Sequence, residues 1–371
     1  MHPEIGFQEV RTSSKVAELL TQFGLEVHAG IGGTGVVGIL RGRSKGNRSI
    51  GFRADMDALP MDERADVPYR SKHPGAFHGC GHDGHTATLL GAAKYLSQHR
   101  QFDGTIYFIF QSAEETLRGV PTMIADGLLK IAAFDEVYAL HNNPALTPGK
   151  VGVRTGSILS GADSLRIQVH GVSAHGAQPQ CGVDAIVVAC QLVNLLQTVV
   201  SRSLDPLDTG VVSIGIIRGG TATNVVAGLV ELEGSIRSMT LENRDVIHRR
   251  IRDICNGVAQ SFGTTIQCEI DRLCPPVVNG RGYARVVEHA ATRVVGAENV
   301  INDVAPLMAS DDFAHLLGDR PGAYFFVGQA GPSCHHPEYV FDDAIMPIGA
   351  SVFVEIVHDR LKSNNQSAPG V

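Results

Sequence analysis

The sequence predicts an α/β domain interrupted by an inserted α+β domain. Three observations predict it. Short apolar runs alternate with helical patterns over residues 1–160 and again over 271–371, as in a mixed, mostly parallel sheet flanked by helices. The segment 161–270 instead reads β-α-β-β-α-β, the order of a ferredoxin-like unit with an antiparallel sheet. The chain has 371 residues, enough for both domains.

Residues 7–23 carry Val10, Val16, Leu19, Leu20 and Phe23 on one side and predict an amphipathic helix. Strands are expected at 36–40, 49–54, 105–111, 136–140 and 324–328, with a helix over 86–98. In the middle, 164–170, 211–218, 229–237 and 264–270 read as strands, and 183–200 and 241–262 as helices. Pro275-Pro276 stands near the return crossing, and the tail at 364–370 reads as disordered. Gly30-Ile-Gly-Gly-Thr-Gly35 fits G-x-G-x-x-G, but a nucleotide fingerprint requires a helix to follow. Val36–Leu40 reads as a strand, so the glycines make a turn between strands.

Composition excludes several classes. The chain is 43% hydrophobic and 19% charged, with net charge −7. Without a basic cluster, nucleic acid is not an expected partner. No apolar run approaches the ~20 residues of a membrane span, and Met1–Glu9 carries no charged-then-apolar signal region. Seven scattered cysteines argue against a disulfide framework and for a reducing compartment, with the cytoplasm as default.

Candidate chemistry gathers at strand ends, where open α/β sheets bind ligands. The loop Phe77-His-Gly-Cys-Gly-His-Asp-Gly-His85 combines imidazole, thiol and carboxylate, the donors of a borderline transition metal. Cys80 and His82 are two apart, so an extended segment would point both the same way. The strand 49–54 leads into Asp55 and Asp57, and Asp57 is placed to orient a ligating histidine. The strand 105–110 leads into Glu114 and Glu115, which on extended chain would face opposite ways and do different jobs. The strand 136–140 leads into His141, which alone fits a core histidine as well as a ligand. After 324–328 come Cys334, His335 and His336, of which one histidine is expected to face a site. His85 begins a helix and suits capping or packing as well as ligation.

These motifs together resemble the M20 metallopeptidases, and within them the N-acyl-amino-acid amidohydrolases. The resemblance rests on Arg53–Pro60, His78–Thr86, Phe110–Glu115, Gly171–His175, Gly219–Asn224 and Ser310–Phe313, and it covers nearly the whole chain. It implies two divalent ions, manganese or zinc first and cobalt or nickel next, held by Cys80, His82, Glu115, His141 and His335. It implies Glu114 as general base to a metal-bridged water, and His175 as the group polarising the scissile carbonyl. Asn224 is implied as the contact for the substrate carboxylate. Arg237 is a further candidate for that contact, since a guanidinium binds carboxylates bidentately. The resemblance implies that residues 1–160 and 271–371 form the metal-binding catalytic domain, with 161–270 a lid that often serves as a dimer surface. In related enzymes the His175 counterpart can come from a neighbouring subunit.

The expected activity is hydrolysis of N-acyl amino acids to a carboxylic acid and a free amino acid. A dipeptidase or carboxypeptidase on the same scaffold is the alternative. The chain departs from the family pattern at Ser112, Gln180, Ala227, Asp311 and Cys334, where proline, histidine, proline, glutamate and leucine are common.

Overall fold

The computed structural model describes residues 1–362, so the expected disordered tail lies outside the described residues. Contacts divide the chain into two compact units. The first comprises Met1–Ile158, Val277–Ala305 and the described residues from Asp311 onward; the second comprises Leu159–Pro276 and Pro306–Ser310.

The strands in chain order are β1 (Glu26–Ile31), β2 (Gly35–Arg41), β3 (Ser44–Asp55), β4 (Asp103–Gln111), β5 (Glu136–Asn143), β6 (Val151–Gly152), β7 (Gly156–Leu159), β8 (Gly161–His170), β9 (Gly210–Gly219), β10 (Leu229–Ser238), β11 (Thr265–Cys274), β12 (Val277–Asn279), β13 (Val300–Ile301) and β14 (Gly322–Gly328). The first unit is built on an eight-stranded sheet of order β1-β2-β4-β3-β5-β14-β6-β13. Its central strands β4, β3, β5 and β14 run parallel, so their carboxyl ends meet at one edge. β1 and β2 form an antiparallel hairpin. Gly30, Gly32 and Gly33 at its turn have positive φ, which fits the glycine run as a turn.

β5 and β14 are buried along nearly their whole length, as expected of strands covered on both faces. Their core holds Phe52, Phe108, Tyr138, Phe325 and Phe353. The helices His82–Gln98, Arg281–Val295 and Met346–Arg360 pack into the same cluster.

The second unit is a four-stranded antiparallel sheet of order β11-β8-β10-β9. Helices Ala185–Leu196 and Leu241–Phe262 pack on it through Leu192, Ile247, Ile251 and Cys255 against Ile167 and Leu232. Each helix starts where a side chain accepts its free N–H groups. Asp184 caps the first through Ile186 and Val187, and Thr240 caps the second through Asn243. Gly263, at φ 61°, ends the longer one. The element order is the β-α-β-β-α-β read from the sequence, with β11 running on to Cys274.

Candidate metal centre

The parallel edge of the first unit gathers most of the candidate residues. β3 delivers Asp55 and Asp57, β4 leads to Glu114 and Glu115, β5 carries His141, and the chain after β14 brings His335. Cys80 and His82 come from the turn into the helix His82–Gln98.

The local geometry differs from two expectations. The Cys80 segment is not extended. Gly81 has φ 91°, and this left-handed residue turns the chain so that His82 opens the helix. Only glycine fits there, because a Cβ would lie 2.5 Å from Asn142 Oδ1 and 2.6 Å from the Tyr339 hydroxyl. Glu114 and Glu115 are not extended either. They begin a 3₁₀ turn between Ala113 and Leu117, both at φ 55°. As a result both carboxylates face one group, each 3.9 Å from His82 Nε2. Two non-glycine residues in the left-handed region are a strained arrangement at this turn.

Two trios of donor atoms share the Cys80 thiol. One is Cys80, His82 and His141; the other is Cys80, Glu115 and His335, with the donor atoms of each trio within 4.8 Å of one another. Cys80 Sγ lies 3.4 Å from His141 Nε2, and His335 Nε2 lies 3.4 Å from Glu115 Oε1. Each histidine is aimed by its other nitrogen or its backbone. His82 Nδ1 meets Asp57 Oδ1 at 3.1 Å, and His141 Nδ1 meets the Asn142 carbonyl at 2.7 Å. His335 has φ 67°, and its N–H donates to the Gly79 carbonyl at 2.7 Å. Asp57 does double duty, since its Oδ2 also accepts the Glu115 N–H at 3.0 Å.

The residues present fit divalent cations. His82 Nε2 is buried with no hydrogen-bond partner, a costly condition that a cation relieves. Burial alone would lower the His82 pKa, but Asp55 and Asp57 outweigh it and raise it well above the usual value. The pull these carboxylates exert on a proton they exert equally on a metal ion. The Cys80 thiol is held protonated by its hydrogen bond with Cys334, by burial, and by the charges of Glu115 and Glu114. A metal must therefore displace that proton.

His85 and His336 are spent elsewhere. His85 meets Asp55 at 2.6 Å and Asn142 at 2.7 Å, so both its nitrogens are engaged. The exposed His336 accepts the Glu338 N–H at 3.1 Å.

Beside the trios lies a network that sequence reasoning missed. Arg53 is buried and donates to Gln111 (2.6 Å), Asp55 (2.8 Å) and both oxygens of Asp311 (3.1 and 2.8 Å). Gln111 passes a 2.6 Å hydrogen bond on to Asp312. The carboxylates of Glu114, Asp311 and Asp312 fall within 4.8 Å of one another. Burial, then repulsion from Asp311 and Glu115, pushes the Glu114 carboxyl well above the ordinary range. Burial likewise outweighs Arg53 at Asp312 and pushes it up to about 8. The available signal was an arginine inside an apolar strand, because a buried guanidinium demands carboxylate partners.

The second unit carries His175, Asn224 and Arg237. His175 pairs with Val225 in an isolated antiparallel bridge, and the Gly176 N–H donates to the Asn224 carbonyl at 2.7 Å. His175 and Asn224 are thus neighbours, and both are exposed. His175 Nδ1 accepts the Ala177 N–H at 3.0 Å, which leaves the ring proton on Nε2. Arg237 stands on β10. It lies eight positions along β10 from Leu229 (229 to 237), on the order of 25 Å at strand rise, and it donates to Ser310 Oγ.

The parallel sheet edge and its thiol, imidazole and carboxylate donors define a metallohydrolase scaffold with a second α+β unit. The chain belongs to peptidase family M20/M25/M40, whose model matches residues 51–359. It is 37% identical over 362 residues to the hippurate hydrolase of Campylobacter jejuni, covering 97% of this chain and 94% of that protein. It is 35% identical over 369 residues to the N-acetyl-L-cysteine deacetylase of Bacillus subtilis, covering 99% and 87%. Among solved structures it resembles a dinuclear metal-binding M20 peptidase from Bacillus subtilis at 30% identity and TM-score 0.85, covering 98% and 95%.

Proposed function

We propose that this protein hydrolyses the amide bond of N-acyl amino acids, using two divalent ions held by Cys80, His82, Glu115, His141 and His335. The observation that carries the reading is the pair of donor trios sharing Cys80, with the Glu114 carboxylate beside them. The relatives named above act on substrates of this class. When bound, the ions supply Lewis acidity, which activates a water and polarises a carbonyl.

The chain's own groups do the rest. Glu114 takes the proton of the attacking water and returns it to the leaving amine. Its buried carboxylate stands 3.9 Å from His82 Nε2, beside the proposed ions, where a proton acceptor and donor is needed. Asp57 fixes His82 and the Glu115 backbone, so one carboxylate positions two ligands. His175 donates its Nε2–H to the developing oxyanion, a role that its bond from Ala177 prepares. Asn224 holds the substrate carboxylate and so orients the scissile bond. The second unit acts as a lid. Ile186, Val187 and Leu195 on its first helix and Ile217 on the edge strand β9 are exposed, which favours a homodimer through this unit. The scattered cysteines favour a reducing, cytoplasmic setting, and no helix among the described residues is long and apolar enough to cross a membrane.

The test is amino-acid release from hippurate, N-acetyl amino acids and matched dipeptides by chelator-treated protein resupplied with manganese or zinc. Metal-restored cleavage of the acyl substrates is the expected outcome, with two ions bound per chain. Cleavage of dipeptides alone would move the activity to a peptidase, and equal turnover without metal would remove the metal assignment.

A further inference from the structure

The loop after β14 places a second thiol against the shared ligand. The His335 N–H donates to the Gly79 carbonyl at 2.7 Å, which lays this loop alongside the Cys80 loop. Cys334 and Cys80, the residues next to that bond, therefore stand opposite each other. Cys334 Sγ lies 3.9 Å from the Cys80 carbonyl. Asn142 Nδ2 holds the Cys334 sulfur from the other side at 3.4 Å. Cys334 is partly exposed between exposed Ser333 and His335, whereas Cys80 is buried. None of the proposed steps of amide hydrolysis uses Cys334.

We propose that Cys80 and Cys334 form a peroxide-driven disulfide that competes with metal binding at the shared ligand. The proposal rests on Cys80 being a metal ligand. A hydroperoxide oxidises the more exposed Cys334 thiol to a sulfenic acid, breaking the O–O bond and releasing one water. The Cys80 sulfur then attacks the Cys334 sulfur, and the hydroxyl leaves with the Cys80 proton as a second water. The balance is two thiols and one hydrogen peroxide to one disulfide and two waters. A sulfur in a disulfide cannot serve as a thiolate ligand, so oxidation and metal loading exclude each other. Loaded protein resists the oxidation, and a dithiol restores the oxidised protein. Cys334 would thus turn an irreversible injury to Cys80 into a reversible one.

The experiment treats metal-free and metal-loaded protein with hydrogen peroxide, maps linked peptides by mass spectrometry, and measures bound metal before and after a dithiol reductant. Mapping is required because the chain has five other cysteines that could link instead. A Cys80–Cys334 linked peptide is expected from metal-free protein and at least tenfold less of it from loaded protein. Metal uptake should be lost with the link and regained on reduction. Cys334→Ser should bind metal as the parent does, form no such link, and lose uptake irreversibly as Cys80 is over-oxidised. Absence of the linked peptide, or reductant-reversible loss in Cys334→Ser, would overturn the proposal. Failure of the metal reading shows separately: reduced parent and Cys80→Ser would then take up equal amounts of metal, whatever the peptide map holds.

Discussion

The two units hold their functional side chains in opposite ways. In the first, His82, Glu114 and Asp57 are buried, and Cys80, Glu115 and His141 are largely so, inside a web of hydrogen bonds that reaches Arg53; of the proposed ligands His335 alone is exposed. In the second, His175 and Asn224 are exposed and rest on backbone bonds at the end of a sheet. A charged centre must be over-determined, because a buried polar atom out of place costs stability as well as activity. An exposed group proposed to meet substrate needs only the right tautomer and reach. Substitutions should therefore separate the units. In the first, function and stability fall together except where shape and hydrogen bonding are kept. In the second, function falls alone.

The largest effect is expected from the exception. Glu114→Gln keeps the shape and removes the base, so turnover should fall by ~10²–10⁴ while two metals still bind. Metal analysis beside steady-state kinetics checks it, and activity within tenfold of the parent would remove Glu114 from the role. Next comes Arg53→Met, which strips the partner from Asp55 and Asp311. Breaking a buried ion pair costs about 3–5 kcal/mol. Denaturant unfolding should show that loss, and metal affinity should fall with it. A stable Arg53→Met protein would show that the first unit is not over-determined.

His175→Ala sharpens the contrast from the other side. Loss of one oxyanion donor typically lowers kcat ~10²–10³-fold, whereas an exposed substitution changes stability by only about 0.5 kcal/mol. Kinetics and thermal unfolding on the same sample decide it. A destabilised His175→Ala protein with unchanged kcat would make the residue a piece of scaffold.

The same contrast explains what the sequence disclosed. Motifs at strand ends were legible because parallel topology alone brings Asp57, Glu114, His141 and His335 to one edge. Local conformation was not legible. Gly81, Ala113 and Leu117 adopt left-handed backbone, so alternation along an extended chain misjudged both the Cys80–His82 turn and the Glu114–Glu115 pair. The Arg53 network joins positions more than 250 residues apart, which no local pattern reports. The run Val352-Phe-Val-Glu-Ile-Val357 is β-branched and aromatic, yet it is helical because it is packed in the core around Phe353. Pro306–Ser310 joins the second unit only through contacts made after folding.

The smallest expected effect tests whether the second unit has a charged core of its own. Asp163 on β8 is buried and takes hydrogen bonds from Arg244 Nε (3.0 Å) and His248 Nε2 (2.5 Å). Burial raises its pKa, but the bonds from His248 and Arg244 outweigh burial and hold it below the usual carboxylate value. A carboxyl with a depressed folded pKa contributes stability that is complete above its unfolded value, about 3.9, and is lost as pH falls through the folded value. Asp163→Asn lacks that titration. The stability gap between parent and Asp163→Asn should therefore stay constant from about pH 7 to pH 5 and narrow below about pH 4, by roughly 1.4 kcal/mol for each unit of depression. Denaturant midpoints across that range measure it. A gap that widens on acidification would mean that Asp163 is protonated more readily in the folded state than in the unfolded one. The bonds from Arg244 and His248 would then not outweigh burial, and the second unit would hold its core carboxylate at a net electrostatic cost.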